Sequence, residues 1–134
     1  MPQREHRGFG RTETLLVVDH DQWVRELAGN ILRAEGFRVL EASDGQTALR
    51  MAETHPGPID LLLTDVIMPK MTGRQLADQL HAAHPGMKVL FMSAYDPEAV
   101  TDAGVRATDP FIAKPFTVDY LARKVRDVLD PRRK

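Results

Sequence analysis

Five short runs of apolar residues punctuate the chain: LLVVD (15–19), FRVLEA (37–42), IDLLLTD (59–65), KVLFMSA (88–94) and PFIAKP (110–115). Several are apolar at successive positions, the pattern of a parallel strand whose sheet is covered on both faces by helices. Between the runs, apolar residues recur at helical spacing. Val24, Leu27, Ala28 and Ile31 mark a first helix, Ala48, Leu49 and Ala52 a second, and Leu76, Ala77 and Leu80 a third. Val118, Leu121, Val125 and Val128 mark the last. Gly36 stands where the first helix should stop, and Asp44-Gly45 and His55-Pro56-Gly57-Pro58 supply turn chemistry around the second. Asp21, Thr72 and Thr117 are placed to cap the first, third and fifth helices. A fourth, near Asp96 to Thr101, has the weakest pattern; Asp96 or Ser93 would cap it, with Pro97 in its first turn.

This alternation predicts a (βα)₅ unit with a doubly wound parallel sheet. In such sheets ligands sit at the carboxyl ends of the strands, near the switch in strand order. There is no internal repeat, low-complexity segment or second domain. Neither GxGxxG nor GxxxxGK[ST] occurs, so no glycine loop cradles phosphates. The polar start reads as a flexible arm or linker over residues 1–12, followed by one domain over 13–130 and a basic tail, PRRK, over 131–134.

Composition changes this picture little. The 134 residues suit a single domain, and 43% hydrophobic with 28% charged residues is ordinary for a globular chain. A net charge of −1 creates no field that favours nucleic acid or a membrane surface. Arg4, Arg7, Arg11 and the final basic residues read as solvated ends. With no cysteine, disulfides and thiolate chemistry are excluded, which fits a reducing compartment. No apolar run approaches the ~20 residues needed to span a bilayer, and the N-terminus has no apolar signal core. A cytoplasmic location is expected.

The candidate chemistry lies at the strand ends. The first ends in Asp19-His20-Asp21, the third in Asp65 and the fourth in Ser93, and Lys114 follows the fifth. Singly, each reads as an ordinary strand-end cap. Four at one edge make a site. Crowded carboxylates repel, and a divalent cation or a lysine relieves them. One carboxylate could attack phosphorus to form an acyl phosphate, while metal, lysine and hydroxyl neutralise the phosphoryl oxygens.

LLVVDHDQWVR, DLLLTDVIMPKMTGRQL, VLFMSAY and FIAKPF together resemble the receiver domains of two-component response regulators, over about residues 13 to 130. TETLLVVD also resembles the start of receivers at the C-terminal end of hybrid sensor histidine kinases. The resemblance implies a flavodoxin-like fold with strand order 2-1-3-4-5. It implies that Asp65 is the phosphoacceptor for a histidine kinase or phosphotransfer protein. Asp19, Asp65 and the backbone carbonyl of Ile67 would hold Mg²⁺, and Ser93 and Lys114 would bind the phosphoryl group. Phe111 would be the aromatic switch, Pro69 and Gly73 would shape the loop after Asp65, and Pro115 would follow a cis bond. It further implies a regulatory domain rather than an enzyme, with only self-catalysed phosphorylation and dephosphorylation. The surface of the fourth helix, fifth strand and fifth helix would switch, in a monomer or weak dimer. The chain stops soon after its last helix, so no DNA-binding output domain is expected.

One residue departs from that pattern. Where the family carries a second acidic residue, this chain has His20, and imidazole is a poor ligand for so hard an ion as Mg²⁺. Three readings follow, in order of preference: weaker Mg²⁺ binding by the remaining ligands, recruitment of Mn²⁺, Zn²⁺ or Ni²⁺, or a degenerate receiver acting as a phosphate-independent interaction module. Asp19-His20-Asp21 with Ser93 and Lys114 also resembles the Asp-x-Asp phosphatases of the haloacid-dehalogenase type. That reading lacks a later acidic pair and leaves DVIMP unexplained. His81 and His84 share a helix face but read as exposed polar positions. Trp23 reads as a rim or packing residue, and Met68, Met71, Met87 and Met92 as core filler.

Overall fold

The computed structural model describes residues 13–131, so the arm over 1–12 and residues 132–134 of the tail lie outside the described residues. The elements are β1 (Thr14–Val18), α1 (Gln22–Ala34), β2 (Arg38–Ala42), α2 (Gly45–Thr54), β3 (Leu61–Asp65), α3 (Gly73–His81), β4 (Lys88–Ser93), α4 (Pro97–Asp102), β5 (Phe111–Ala113) and α5 (Val118–Leu129). All strand pairs are parallel, and the order is β2-β1-β3-β4-β5. This is the expected flavodoxin-like arrangement.

Side chains in a strand alternate between the two faces, and that alternation divides the core. Leu15, Val17, Leu61, Leu63, Leu90 and Met92 pack with Ala28, Ile31 and Leu32 of α1 and Leu121 and Val125 of α5. Their neighbours Leu16, Val18 and Leu62 pack on the other face with Ala48 and Ala52 of α2 and Leu76, Ala77 and Leu80 of α3. Complete burial of a leucine stabilises the fold by roughly 1.5–3 kcal/mol, so these rows hold the sheet in register. A third cluster, Val66, Phe91, Val100 and Val105, lies beneath α4. All four of the methionines expected in the core are buried.

The caps follow the sequence closely. Asp21 accepts the Trp23 and Val24 N–H groups at the start of α1. At its end Gly36 has φ +99°, and the Phe37 N–H donates to the Leu32 carbonyl while Gly36 N–H donates to Arg33. That is a Schellman stop, which uses glycine's freedom at positive φ. Asp44 caps α2, Thr72 and Gln75 form a capping box on α3, and Thr117 caps α5. Of the two candidates for α4, Asp96 is the cap; Ser93 Oγ accepts the Tyr95 N–H instead.

The strands β2 to β5 are shorter than the apolar runs that mark them, and β1 is shifted by one residue toward the N-terminus. The fifth keeps three residues of the six in PFIAKP, because Pro110 and Pro115 cannot donate to the ladder. The Lys114–Pro115 bond is cis, as the family resemblance implies. Two histidine expectations need correction. His81 and His84 are half-buried rather than exposed. His81 Nε2 lies 2.9 Å from the Met87 carbonyl oxygen, and the Ile59 N–H donates to His84 Nδ1 over 3.4 Å. The helix ends at His81, so His84 stands on the following turn, where the backbone supplies it with a partner.

Candidate functional site

The parallel order brings the ends of β1, β3, β4 and β5 to one edge, and with them Asp19, Asp65, Ser93 and Lys114. Asp19, Asp65 and Ser93 are all buried, at 0%, 2% and 1% exposure. Lys114 is the ammonium they share: Nζ donates to Asp19 Oδ2 over 2.9 Å and stands 3.5 Å from Asp65 Oδ1. The second distance is long for a hydrogen bond, and Asp65 Oδ1 is buried without a hydrogen-bond partner. His20 approaches from the opposite side. Its Nδ1 is 3.5 Å from Asp65 Oδ2 and 3.8 Å from Asp19 Oδ1.

Burial, then the neighbouring Asp19 carboxylate, raises the Asp65 carboxyl above the usual carboxylate range; Lys114 and His20 oppose this and do not cancel it. Two carboxylates with one lysine leave a cation deficit. Asp19, His20 and Asp65 each offer one ligand atom, and these atoms lie within 4.8 Å of one another. A buried oxygen without a donor, in a cluster of this spacing, fits a divalent cation. Asp21 is not part of the group, because its carboxylate is spent on the α1 cap; this counts against an Asp-x-Asp phosphatase centre.

The surrounding loop is shaped by close approach. The Gly73 N–H donates to the Val66 carbonyl over 2.9 Å, and a Cβ on Gly73 would sit 2.5 Å from the Asp65 carbonyl oxygen. Any larger residue would push α3 away from the end of β3. Pro69 lies in the loop before Lys70, which holds a positive φ of 74°, and Ile67 is half-buried just after Val66. Phe111 is half-buried against the cluster beneath α4. It borders a cleft of about 490 Å³ that also reaches Ser93, Tyr95 and Lys114. Trp23, at 72% exposure, packs on nothing extensive.

Two supports were invisible in the sequence. Arg25 donates from Nη1 to the Asp19 carbonyl over 2.8 Å, holding the end of β1 from within α1. Arg74 donates from Nε to the Gly104 carbonyl over 3.1 Å, pairs with Asp109, and lies 5.0 Å above the Phe91 ring. It thereby ties α3 to the segment that follows α4. Burial tends to raise the Asp109 carboxyl, but the Arg106 N–H and the Arg74 guanidinium outweigh it and lower it on balance. A cleft of about 770 Å³ lies beside Arg74, Asp109 and Lys124 and contains neither acidic site residue. The carboxylates, not cleft size, locate the chemistry.

Residues 15–126 match the profile of the response regulator receiver domain. A cyclic di-GMP phosphodiesterase of Thermotoga maritima is 33% identical over 120 residues, covering 89% of this chain and 32% of that protein. The sensor kinase CckA of Brucella abortus is 34% identical over 118 residues, covering 87% of this chain and 12% of that protein. The receiver domain of a hybrid histidine kinase CckA superposes with a TM-score of 0.74 at 36% identity, over 87% of this chain and 99% of that one. The chain belongs to the response regulator receiver family of two-component signalling. It spans less than a third of the length of either of these curated relatives. Receivers of this family accept phosphoryl groups, bind a divalent metal at the acidic pocket and interact with histidine kinases or phosphotransfer proteins. Among the described residues no helix is long and apolar enough to cross a membrane.

Proposed function

We propose that Asp65 accepts a phosphoryl group from a histidine kinase or a histidine phosphotransfer protein and that this switches the α4–β5–α5 surface. The observation that carries the reading is the buried Asp65 carboxylate, its Oδ1 without a hydrogen-bond partner, with Lys114 3.5 Å away. Attack by a carboxylate oxygen forms a P–O bond as the donor's P–N bond breaks; the departing imidazole nitrogen keeps the electron pair and takes a proton from solvent. Asp19, Asp65 and the Ile67 carbonyl would hold a divalent cation, whose charge would neutralise phosphoryl oxygens. Lys114 would turn from the carboxylates to the new phosphoryl oxygens, and Ser93 would donate its hydroxyl to one of them. Ser93 now uses its oxygen to accept the Tyr95 N–H, so its own proton is free for that bond.

The added charge would draw Ser93 and Lys114 inward. The cleft bordered by both Phe111 and Ser93 gives the ring room to follow. Incubation with acetyl phosphate and Mg²⁺ or Mn²⁺, followed by intact-mass measurement, should show one added phosphoryl group that is absent in Asp65→Asn. No adduct at saturating donor with either metal overturns the reading.

A further inference from the structure

We propose that His20 is itself a metal ligand and makes this acidic pocket a mixed nitrogen–oxygen centre, selective for first-row transition-metal dications such as Co²⁺, Ni²⁺ or Zn²⁺ over Mg²⁺. The inference deepens the reading above, since it rests on Asp19 and Asp65 holding a cation. Its basis is how the four carboxylate oxygens are shared. Lys114 faces Asp19 Oδ2 and Asp65 Oδ1, while His20 Nδ1 faces the other two, Asp19 Oδ1 and Asp65 Oδ2. The imidazole therefore points into the site rather than away from it, and on that side the lysine is absent and Asp19 Oδ1 accepts only the Asp21 N–H, over 2.9 Å.

The spacing suits coordination. Ligand atoms bound ~2.1 Å from a common ion are about 3.0 Å apart at adjacent octahedral positions and about 3.4 Å apart in a tetrahedron. The Nδ1–oxygen distances are 3.5 and 3.8 Å, close to the tetrahedral spacing, and the ligand atoms of all three residues lie within 4.8 Å of one another. The His20 side chain is 52% exposed, so the ion enters from solvent and its remaining positions stay open to water or phosphoryl oxygens. Mg²⁺ demands oxygen ligands in near-ideal octahedral geometry, whereas imidazole binds the later first-row dications well. The substitution of nitrogen for a third carboxylate lowers the anionic charge that attracts Mg²⁺ and adds a donor that the softer ions favour.

The test titrates the chelator-treated full chain with Co²⁺, followed by its visible absorption, and with Mg²⁺ in competition, in wild type, His20→Asp and His20→Ala. His20→Asp is expected to weaken Co²⁺ and strengthen Mg²⁺ by ~10-fold each. His20→Ala should lose Co²⁺ affinity without a comparable loss for Mg²⁺. In ¹⁵N-labelled protein, Zn²⁺ should shift the His20 Nδ1 resonance. A ratio of Co²⁺ to Mg²⁺ affinity that is the same in wild type and both variants, or an Nδ1 resonance that Zn²⁺ does not move, overturns the proposal. These readouts need no phosphoryl donor. Phosphorylation of Asp65 alongside an unaltered metal ratio would sink this inference and leave the phosphoacceptor reading intact, and a changed ratio without any adduct would do the reverse.

Discussion

Asp65 is placed at a cost to the fold, and Asp65→Asn removes the charge while keeping the shape. In the absence of metal, the ionised carboxylate is 98% buried with one oxygen unsatisfied, beside a second buried carboxylate and a lysine that sits nearer to that neighbour. A buried polar group left without a partner costs about 1–3 kcal/mol. The variant should therefore be more stable than wild type by about that much in EDTA at neutral pH, or roughly 3–5 °C in Tm per kcal/mol for a domain of this size. The pH dependence has a definite sign. The folded-state value of Asp65 is raised above 3.8, so the folded protein binds more protons than the unfolded chain between the two values, and wild-type stability falls as pH rises through that window. The advantage of asparagine is thus full above the folded-state value and fades as pH approaches about 4. Urea unfolding followed by far-UV circular dichroism, at neutral pH and near pH 4.5, measures it. An Asp65→Asn protein no more stable than wild type at neutral pH in EDTA, or a gain that ignores pH, would refute the reasoning.

The other predictions concern the residues that support this carboxylate. Lys114→Met leaves Asp19 and Asp65 opposed without their cation and should cost about 3 kcal/mol in EDTA; added divalent metal or an Asp65→Asn background should restore most of it in the same urea assay. Gly73→Ala puts a Cβ 2.5 Å from the Asp65 carbonyl oxygen, an overpacking that should lower stability by roughly 1–3 kcal/mol in a thermal melt. Arg74→Met should cost ~1 kcal/mol, since the Arg74–Asp109 pair is partly exposed. Asp109 is lowered in the folded state, so the stability it contributes is present above about pH 4 and lost as pH falls through its folded-state value; the wild-type advantage over Arg74→Met should shrink in acid.

Much of this molecule is written in local patterns. Consecutive apolar residues in LLVV and DLLL are possible only where both faces of a strand are buried, so the runs imply helices on both sides of a parallel sheet. Asp21, Gly36, Thr72 and Thr117 act within a few residues of themselves, which is why their caps could be read directly. The gathering of Asp19, Asp65, Ser93 and Lys114 also followed from topology, because chain order and the carboxyl-end rule send those strand ends to one edge.

Contacts between distant segments could not be read in the same way. Arg25 and Arg74 look like ordinary helix-surface arginines; only the packing of α1 on the end of β1, and of α3 beside the segment after α4, gives them their carbonyl and carboxylate partners. The partner of His84 is likewise settled by a neighbour distant in the chain, whereas the prolines that shorten β5 and the Met87 carbonyl beside His81 are local. His20 marks the boundary most clearly. As a letter between two aspartates it suggested chiefly a weakened Mg²⁺ site. Its ring direction depends on where Asp65, 45 positions later, comes to rest, and there Nδ1 faces one pair of carboxylate oxygens while Lys114 faces the other. Residue type sets which ligands are available; the direction in which each side chain points is a property of the packed whole.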